Sequence, residues 1–358
     1  MKKILTTIKA LANQISRSVK LMELCGTHSQ TVAKYNLKSL LPSNIELISG
    51  PGCPICVTDQ ADIDIVIGLA ENDVPIAAYG DALSLPGTNS SLEKLKQQGK
   101  KIEIVYSTLD ALKLAEQIND LVFFGIGFET TTPMTAWAAK QGLRVYSAHK
   151  LFPPAMAALL SNPDIQIDGF INPGHVSAII GSKPYEQFEI PQVISGFEPE
   201  DVLISIEWLL EMILNHENQV KNQYTRVVKP EGNIEAKKII NEVFESADAK
   251  WRGLGLIPSS GLKIKAEFQN QDAEFTYSDL IAKIKQEIKL KPSGCICGQI
   301  LQGLKKPQDC PLFAQACSPE NPQGACMVSV EGNCQIEYKY RNSARLPVGF
   351  KKMPTEVG

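Results

Sequence analysis

Ile45-Glu46-Leu47-Ile48 is a short apolar run that ends in Gly50-Pro51-Gly52-Cys53-Pro54-Ile55-Cys56, and the next stretch, 59–71, carries Ile63, Val66, Ile67 and Ala70 at helical spacing. The segment reads as strand, tight turn and helix. The same order surrounds it. Upstream, Leu21-Met22-Glu23-Leu24 reads as a strand ending at Cys25-Gly26-Thr27-His28, with a helix over 29–41; before it, Ile4, Ile8, Leu11, Ile15 and Val19 mark one stripe of an amphipathic helix. Downstream, strands at 75–79 and 102–106 alternate with helices at 91–98 and 109–118. Strands and helices alternating at this pitch predict a parallel sheet covered on both faces.

A second unit of the same kind starts at Leu121. A strand over 121–126 enters Gly127-Phe128-Glu129-Thr130-Thr131, and helices over 133–140 and 154–160 flank a strand at 144–147. A strand at 169–172 then enters Pro173-Gly174-His175-Val176-Ser177, and a strand at 192–195 precedes a long helix over 200–215. Past Val227 the character changes: helices at 234–244 and 277–288 bracket a Gly- and Pro-rich stretch, 251–261. The expected fold is therefore α/β, with two similar parallel-sheet α/β domains, 1–120 and 121–215, and a third, mainly helical and loop-rich domain, 216–358.

Six of the nine cysteines lie in that last part, spaced Cys295-x-Cys297, then twelve residues to Cys310, six to Cys317, eight to Cys326 and seven to Cys334. Prolines and glycines between them make a loop that disulfides or a metal must hold. The N-terminus lacks the apolar core of a secretory signal, and no apolar run approaches the roughly 18 residues that span a bilayer, so the protein is expected in the cytoplasm. There, clustered thiols bind metal or do redox chemistry. Zinc sites favour paired C-x2-4-C hooks, which are absent, whereas six unevenly spaced thiols suit a four-thiolate iron–sulfur cluster with two left over; spacing leaves both open. The net charge of -3, without clustered basic residues, speaks against nucleic acid or an anionic membrane as partner.

Open parallel sheets bind ligands at the carboxyl ends of their strands, and four motifs fall there. Cys25 precedes a helix, whose N-terminus favours a thiolate, and His28 is spaced to reach it; taken alone, a buried apolar cysteine with a capping histidine is the plainer reading. Cys53 and Cys56 form a C-x-x-C pair, suited to a disulfide or to a metal hook. Gly125-Ile126-Gly127 starts like a dinucleotide fingerprint, but Thr130 stands where the third glycine belongs, so nucleotide binding is not expected. Helix capping is the plainer role for Glu129 and Thr130, whereas His175 reads equally as a base or ligand and as a satisfied turn histidine. His149 and His216 read as structural or surface residues. Glu331 reads as an exposed turn carboxylate, with tuning of a cluster as its other role.

Cys25-Gly26-Thr27-His28, the turn Gly50 to Cys56, Gly127 to Thr131, Pro173 to Ser177 and the six-cysteine array together resemble the HypD family of [NiFe]-hydrogenase maturation factors, in the family's order and over nearly the whole chain. Asp59 departs from the family's more usual proline and touches only the entry to the next helix. The resemblance implies a redox-active scaffold for assembling the Fe(CN)2CO group of the hydrogenase active site, rather than a conventional turnover enzyme. It implies a HypC-type chaperone sharing the iron with Cys25, and HypE, working with HypF, as cyanide donor. It further implies a [4Fe-4S] cluster on Cys295, Cys310, Cys317 and Cys334, a redox pair of Cys297 and Cys326, a second pair of Cys53 and Cys56, and His28 in proton transfer or orientation of the iron ligands. Two other classes stay open on the residues alone: a disulfide reductase like ferredoxin:thioredoxin reductase, and a zinc-stabilised interaction protein.

Overall fold

The structure is a computed structural model that describes residues 1–289 and 294–341. Its first sheet is built from β1 (Val19–Glu23), β2 (Ile45–Ser49), β7 (Gly169–Pro173), β8 (Gln192–Ser195) and β9 (Val220–Asn222), in the order β2-β1-β7-β8-β9 and parallel throughout. Its second sheet holds β3 (Ile76–Tyr79), β4 (Ile102–Val105), β5 (Val122–Gly125) and β6 (Arg144–Ser147), in the order β4-β3-β5-β6, again parallel. The α/β class with two parallel sheets is as the alternation of elements predicts.

The grouping of strands differs from the consecutive division at residue 120. After β2 the chain leaves the first sheet, builds the whole second sheet, and returns with β7 to pair on the free side of β1, Leu21 opposite Gly169. Each sheet thus has one place where successive connections diverge, between β1 and β7 and between β3 and β5. Such a divergence leaves a crevice at the carboxyl ends of the two strands. Cys25 follows β1, and His175 follows β7.

Local chemistry sets the element ends. The N-terminal apolar stripe does not run as one helix: the helix Lys2–Ala12 stops, and the Val19 N–H bonds to Asn44 O at 2.8 Å, so Val19 belongs to β1. The helix after Cys25 covers only Gly26–Lys34, because Asn36 at φ 50 breaks it before the 3-10 turn Leu37–Leu40. The stretch 251–261, expected as loop, is the corner of an antiparallel hairpin of β10 (Phe244–Trp251) and β11 (Gly255–Ile264), turned by Gly253 and Gly255 at positive φ and kinked by a bulge at Ala247/Ala249.

The N-terminal helix and the helix Pro199–Asn215 bury one face of the first sheet through Ile8, Leu21, Leu203, Ile206 and Leu210. The opposite core runs without a break from both sheets into the cysteine segment, where the short helices Cys297–Leu301 and Asn333–Tyr340 lie. Residues 342–358, the end of the expected third domain, and 290–293 lie outside the described residues. Among the described residues no helix is long and apolar enough to cross a membrane.

Trp251 is the largest fully buried side chain. It stacks on Phe128 with centroids 5.8 Å apart, and its Nε1–H donates to Ser260 Oγ at 2.9 Å. It therefore ties the hairpin to the loop after β5. Trp251→Ala should destabilise the fold by about 3–5 kcal/mol, the usual range for emptying a buried aromatic site. Chemical denaturation monitored by circular dichroism checks this; a loss under about 1 kcal/mol would mean the site collapses freely.

Candidate functional site

The loops after β1 and β2 touch. A Cβ on Gly52 would stand 2.5 Å from Cys25 N and 2.6 Å from Cys25 Cα, and Gly26 N–H reaches Gly52 O at 3.4 Å. Only glycine permits this approach. Cys25, the N-cap of Gly26–Lys34, therefore lies against the turn that carries Cys53 and Cys56. Cys53 caps the single helical turn Pro54–Val57, its Sγ accepting the Cys56 N–H at 3.3 Å.

Cys25 does not carry the lowered pKa that its place at a helix N-terminus predicts. The N–H groups of Thr27 and His28 do pull its pKa down, but burial and the nearby Glu331 carboxylate outweigh them and push it up to about 12. The reason is solvent exclusion, since Cys25 is only 6% exposed. It is a thiol at neutral pH.

His28 is buried on the other side of the loop. Its Nε2 lies 3.0 Å from Gly196 O, and because a carbonyl only accepts, Nε2 carries the hydrogen and Nδ1 keeps a buried, unpartnered lone pair. Burial lowers its pKa to about 4, so the ring is neutral. Phe197 lies between His28, with centroids 5.0 Å apart, and His175, at 4.0 Å, which joins two of the four motifs through one aromatic ring. The sequence gives no sign of Phe197.

The thiols of the array meet those of the C-x-x-C turn. Cys326 lies beside Cys56, Cys297 and Cys334. The Cys56 thiol points at Ala325 O, 3.9 Å away, and neighbours Cys53. Cys297 adjoins Cys295. Cys317 is within electrostatic reach of Cys334 and Cys295, and its Sγ accepts the Gln323 N–H at 3.3 Å. Gly324 leaves the Cys295 sulfur its room, because a Cβ there would stand 2.5 Å from Sγ. Cys310 is buried in the same core. Arg252, held by Thr58 O at 3.1 Å and Gln60 Oε1 at 3.2 Å, is a cation acting on Cys295 and Cys297; sequence reading missed it because it enters from the hairpin. Among the described residues no three His, Cys, Asp or Glu side chains close on a point suited to one metal ion. The donor set of Cys295, Cys310, Cys317 and Cys334 is four buried or half-buried sulfurs, two of which, Cys295 and Cys317, have backbone N–H donors at hand, which is the chemistry iron–sulfur clusters use.

Glu331 is not an exposed turn carboxylate. It accepts a hydrogen bond from Thr27 Oγ1 at 2.9 Å, and burial raises its pKa. Glu23, two residues before Cys25, is also buried and bonded to Ser29, with its pKa raised to about 7 by burial. Glu129 is a cap, though not of its own helix: Oε1 accepts the Phe152 N–H at 2.9 Å, at the start of Phe152–Ser161, and Oε2 has no partner. Thr130 is exposed; Thr131 sits where a Cβ on Gly127 would reach its Oγ1 at 1.7 Å, so glycine there serves packing rather than a phosphate. His149 is structural, bonded to Thr135 at 3.3 Å and Ser147 at 3.1 Å, and His216 ends the helix Pro199–Asn215 at φ 56.

Comparison with known proteins adds an independent line. The family model described as the hydrogenase formation hypA family, HypD, matches residues 1–341. The hydrogenase maturation factors HypD1 and HypD2 of Bradyrhizobium diazoefficiens are 45% and 44% identical, covering 91% and 90% of this chain and 90% and 89% of their own. The hydrogenase maturation factor HypD of Cupriavidus necator is 40% identical and covers 91% of each chain.

Glu129 links stability to pH. Burial holds its folded pKa at about 7 against an ordinary 4.5, so the stability it contributes as a neutral group is complete below 4.5 and is lost as pH rises through 7. Glu129→Gln removes that dependence while keeping an oxygen for the Phe152 N–H. Relative to wild type, the variant should gain on the order of 3 kcal/mol between about pH 4 and about pH 8, read by urea denaturation. A constant difference across that range would mean the carboxyl does not titrate there.

Proposed function

The chain belongs to the HypD family of hydrogenase formation proteins, and from that premise we propose that it is a scaffold on which the Fe(CN)2CO group is assembled, with Cys25 holding the cargo iron. Its role in hydrogenase maturation follows from the relatives; the scaffold chemistry is our reading. In that reading a HypC-type chaperone supplies a second thiolate to the iron, and HypE, fed by HypF, delivers cyanide. The protein acts in the cytoplasm.

One observation carries the proposal: Cys326 sits between the C-x-x-C turn and the rest of the array, in contact with Cys56, Cys297 and Cys334 at once. A row of thiols therefore leads from Cys295 and Cys297 to Cys53 and Cys56, which lie against the Cys25 loop. Cys295, Cys310, Cys317 and Cys334 are the residues that would hold a [4Fe-4S] cluster, which supplies single electrons when bound. The chain's own thiols account for the transfer between pairs. The Cys326 thiolate attacks the Cys56 sulfur of a Cys53–Cys56 disulfide and releases Cys53; the Cys297 thiolate then attacks Cys326, closing a Cys297–Cys326 disulfide and releasing Cys56. Two electrons pass from one pair to the other. Neighbouring thiols and burial raise the pKa of Cys295 and Cys297, and the positive charge of Arg252 offsets part of that rise. At Cys25 a soft thiolate suits a ferrous ion that also takes cyanide and CO, and the neutral His28 orients the loop from behind.

Protein purified without oxygen should contain about four irons and four acid-labile sulfides per chain, falling sharply in Cys310→Ser. Stoichiometric zinc without sulfide would sink the cluster and with it the electron source. In the complex with the chaperone, Cys25→Ser should abolish the infrared bands of iron-bound cyanide and CO, and Cys297→Ser should weaken them. Full-intensity bands in Cys297→Ser would remove the thiol relay.

A further inference from the structure

The turn 328–332, between Cys326 and Cys334, is fastened to the Cys25 loop at three points. Thr27 Oγ1 donates to Glu331 Oε1 at 2.9 Å, Gln30 Nε2 donates to Val330 O at 2.5 Å, and a Cβ on Gly26 would stand 2.4 Å from Glu331 Cβ and 2.7 Å from Glu331 O. Thus a segment of the cysteine array lies directly on the residue that follows Cys25. The other end of the turn is built on Cys326. A Cβ on Gly332 would stand 2.3 Å from Cys326 O, while Gly332 N–H bonds to Ser329 O at 2.8 Å and Glu331 N–H to Ser329 Oγ at 3.3 Å. These internal bonds make 326–332 a unit, so a displacement of Cys326 is carried to Glu331.

We propose that the turn 328–332 is a lid over Cys25, latched by Glu331 and Gln30, which opens when Cys297 and Cys326 join in a disulfide and closes when they are reduced. In this structure Cys297 and Cys326 are not joined and the latch is made. Joining two sulfurs fixes them at about 2.05 Å with a set dihedral, far closer than thiols in contact. Closing that bond draws Cys326 toward Cys297 and away from Cys56 and Cys334, and the turn, tight against the Cys326 carbonyl at Gly332, moves with it. The oxidant is the Cys53–Cys56 disulfide of the relay above, on which this inference rests: two thiols of one pair give up two electrons and two protons, and the other pair takes them. Cys25 is then uncovered when the thiols beside it have just been reduced, and covered again once the array is recharged.

The test is the rate at which iodoacetamide labels Cys25, read by peptide mass mapping of the full chain in a Cys53→Ser background, reduced or treated with oxidised dithiothreitol. The disulfide mapped to Cys297 and Cys326 should speed labelling by about tenfold, the factor one charge-assisted hydrogen bond is worth, and Cys297→Ser should abolish the speeding. Gln30→Ala should label fast in both states. Because Gln30→Ala leaves both the Thr27 hydroxyl and the Glu331 carboxylate in place, its effect reports the latch rather than the groups that set the reactivity of the thiol. Equal labelling with and without the Cys297–Cys326 disulfide, or slow labelling in Gln30→Ala, would overturn the lid. Neither result depends on the cyanide and CO bands, so failure of the lid and failure of the relay are separable.

Discussion

The contact between Gly52 and Cys25 is the constraint on which the rest of the site depends. Neighbouring parallel strands run about 4.8 Å apart, and loops leaving their ends normally diverge. Here the loops after β1 and β2 stay together because position 52 has no side chain, and the atoms that a Cβ would strike are backbone rather than the end of a flexible chain. Pairing of Val19 through Glu23 with Ile45 through Ser49 then sets the register that brings Cys25 level with the C-x-x-C turn. Everything that reaches this point from further along the chain, the turn with Glu331 and the sulfur of Cys326, meets a surface already fixed by β1 and β2.

The strand-end motifs were legible because their signal is local. A short apolar run, a Gly-Pro turn and a helical stripe need no partner to be recognised, and β1 through β8 lie within a residue or two of where periodicity places them. Strand partners were not legible. Parallel strands need long crossovers, so nothing in residues 19–49 says that the second neighbour of β1 is Gly169–Pro173. The same limit hid Glu331, Arg252 and Phe197. Each acts on a cysteine or histidine far away in sequence, and each looks alone like a turn acid, a hairpin base and a loop aromatic. The hairpin β10 and β11 was missed for another reason: its glycines and proline read as loop, whereas two of the glycines make the turn and the strands carry an uneven burial pattern.

At Cys25 the two readings of the sequence, a thiolate at a helix terminus and a buried apolar cysteine, are both physically present, and burial decides between them. The helix terminus is present, and its N–H groups do favour the thiolate. Burial is larger, as it is for Glu23 and Glu129, whose carboxyls are raised to about 7 by the same cause. The carboxyl ends of both sheets are thus dry, and dry sites keep their protons.

That property bears on what a scaffold must do. A thiol held near 12 costs on the order of 7 kcal/mol to ionise at neutral pH, and an incoming cation must supply this from its own binding energy. An anchor of this kind holds iron less tightly than a thiolate already formed. For a storage site that would be a defect. For a residue that receives iron, holds it while ligands are added and then releases it to another protein, a weaker bond shortens the final step. In the proposed role, the proton that the thiol retakes on release would favour departure of the cargo. Burial, which would keep water from the iron, and the raised thiol pKa, which would ease release, are then two consequences of one packing arrangement.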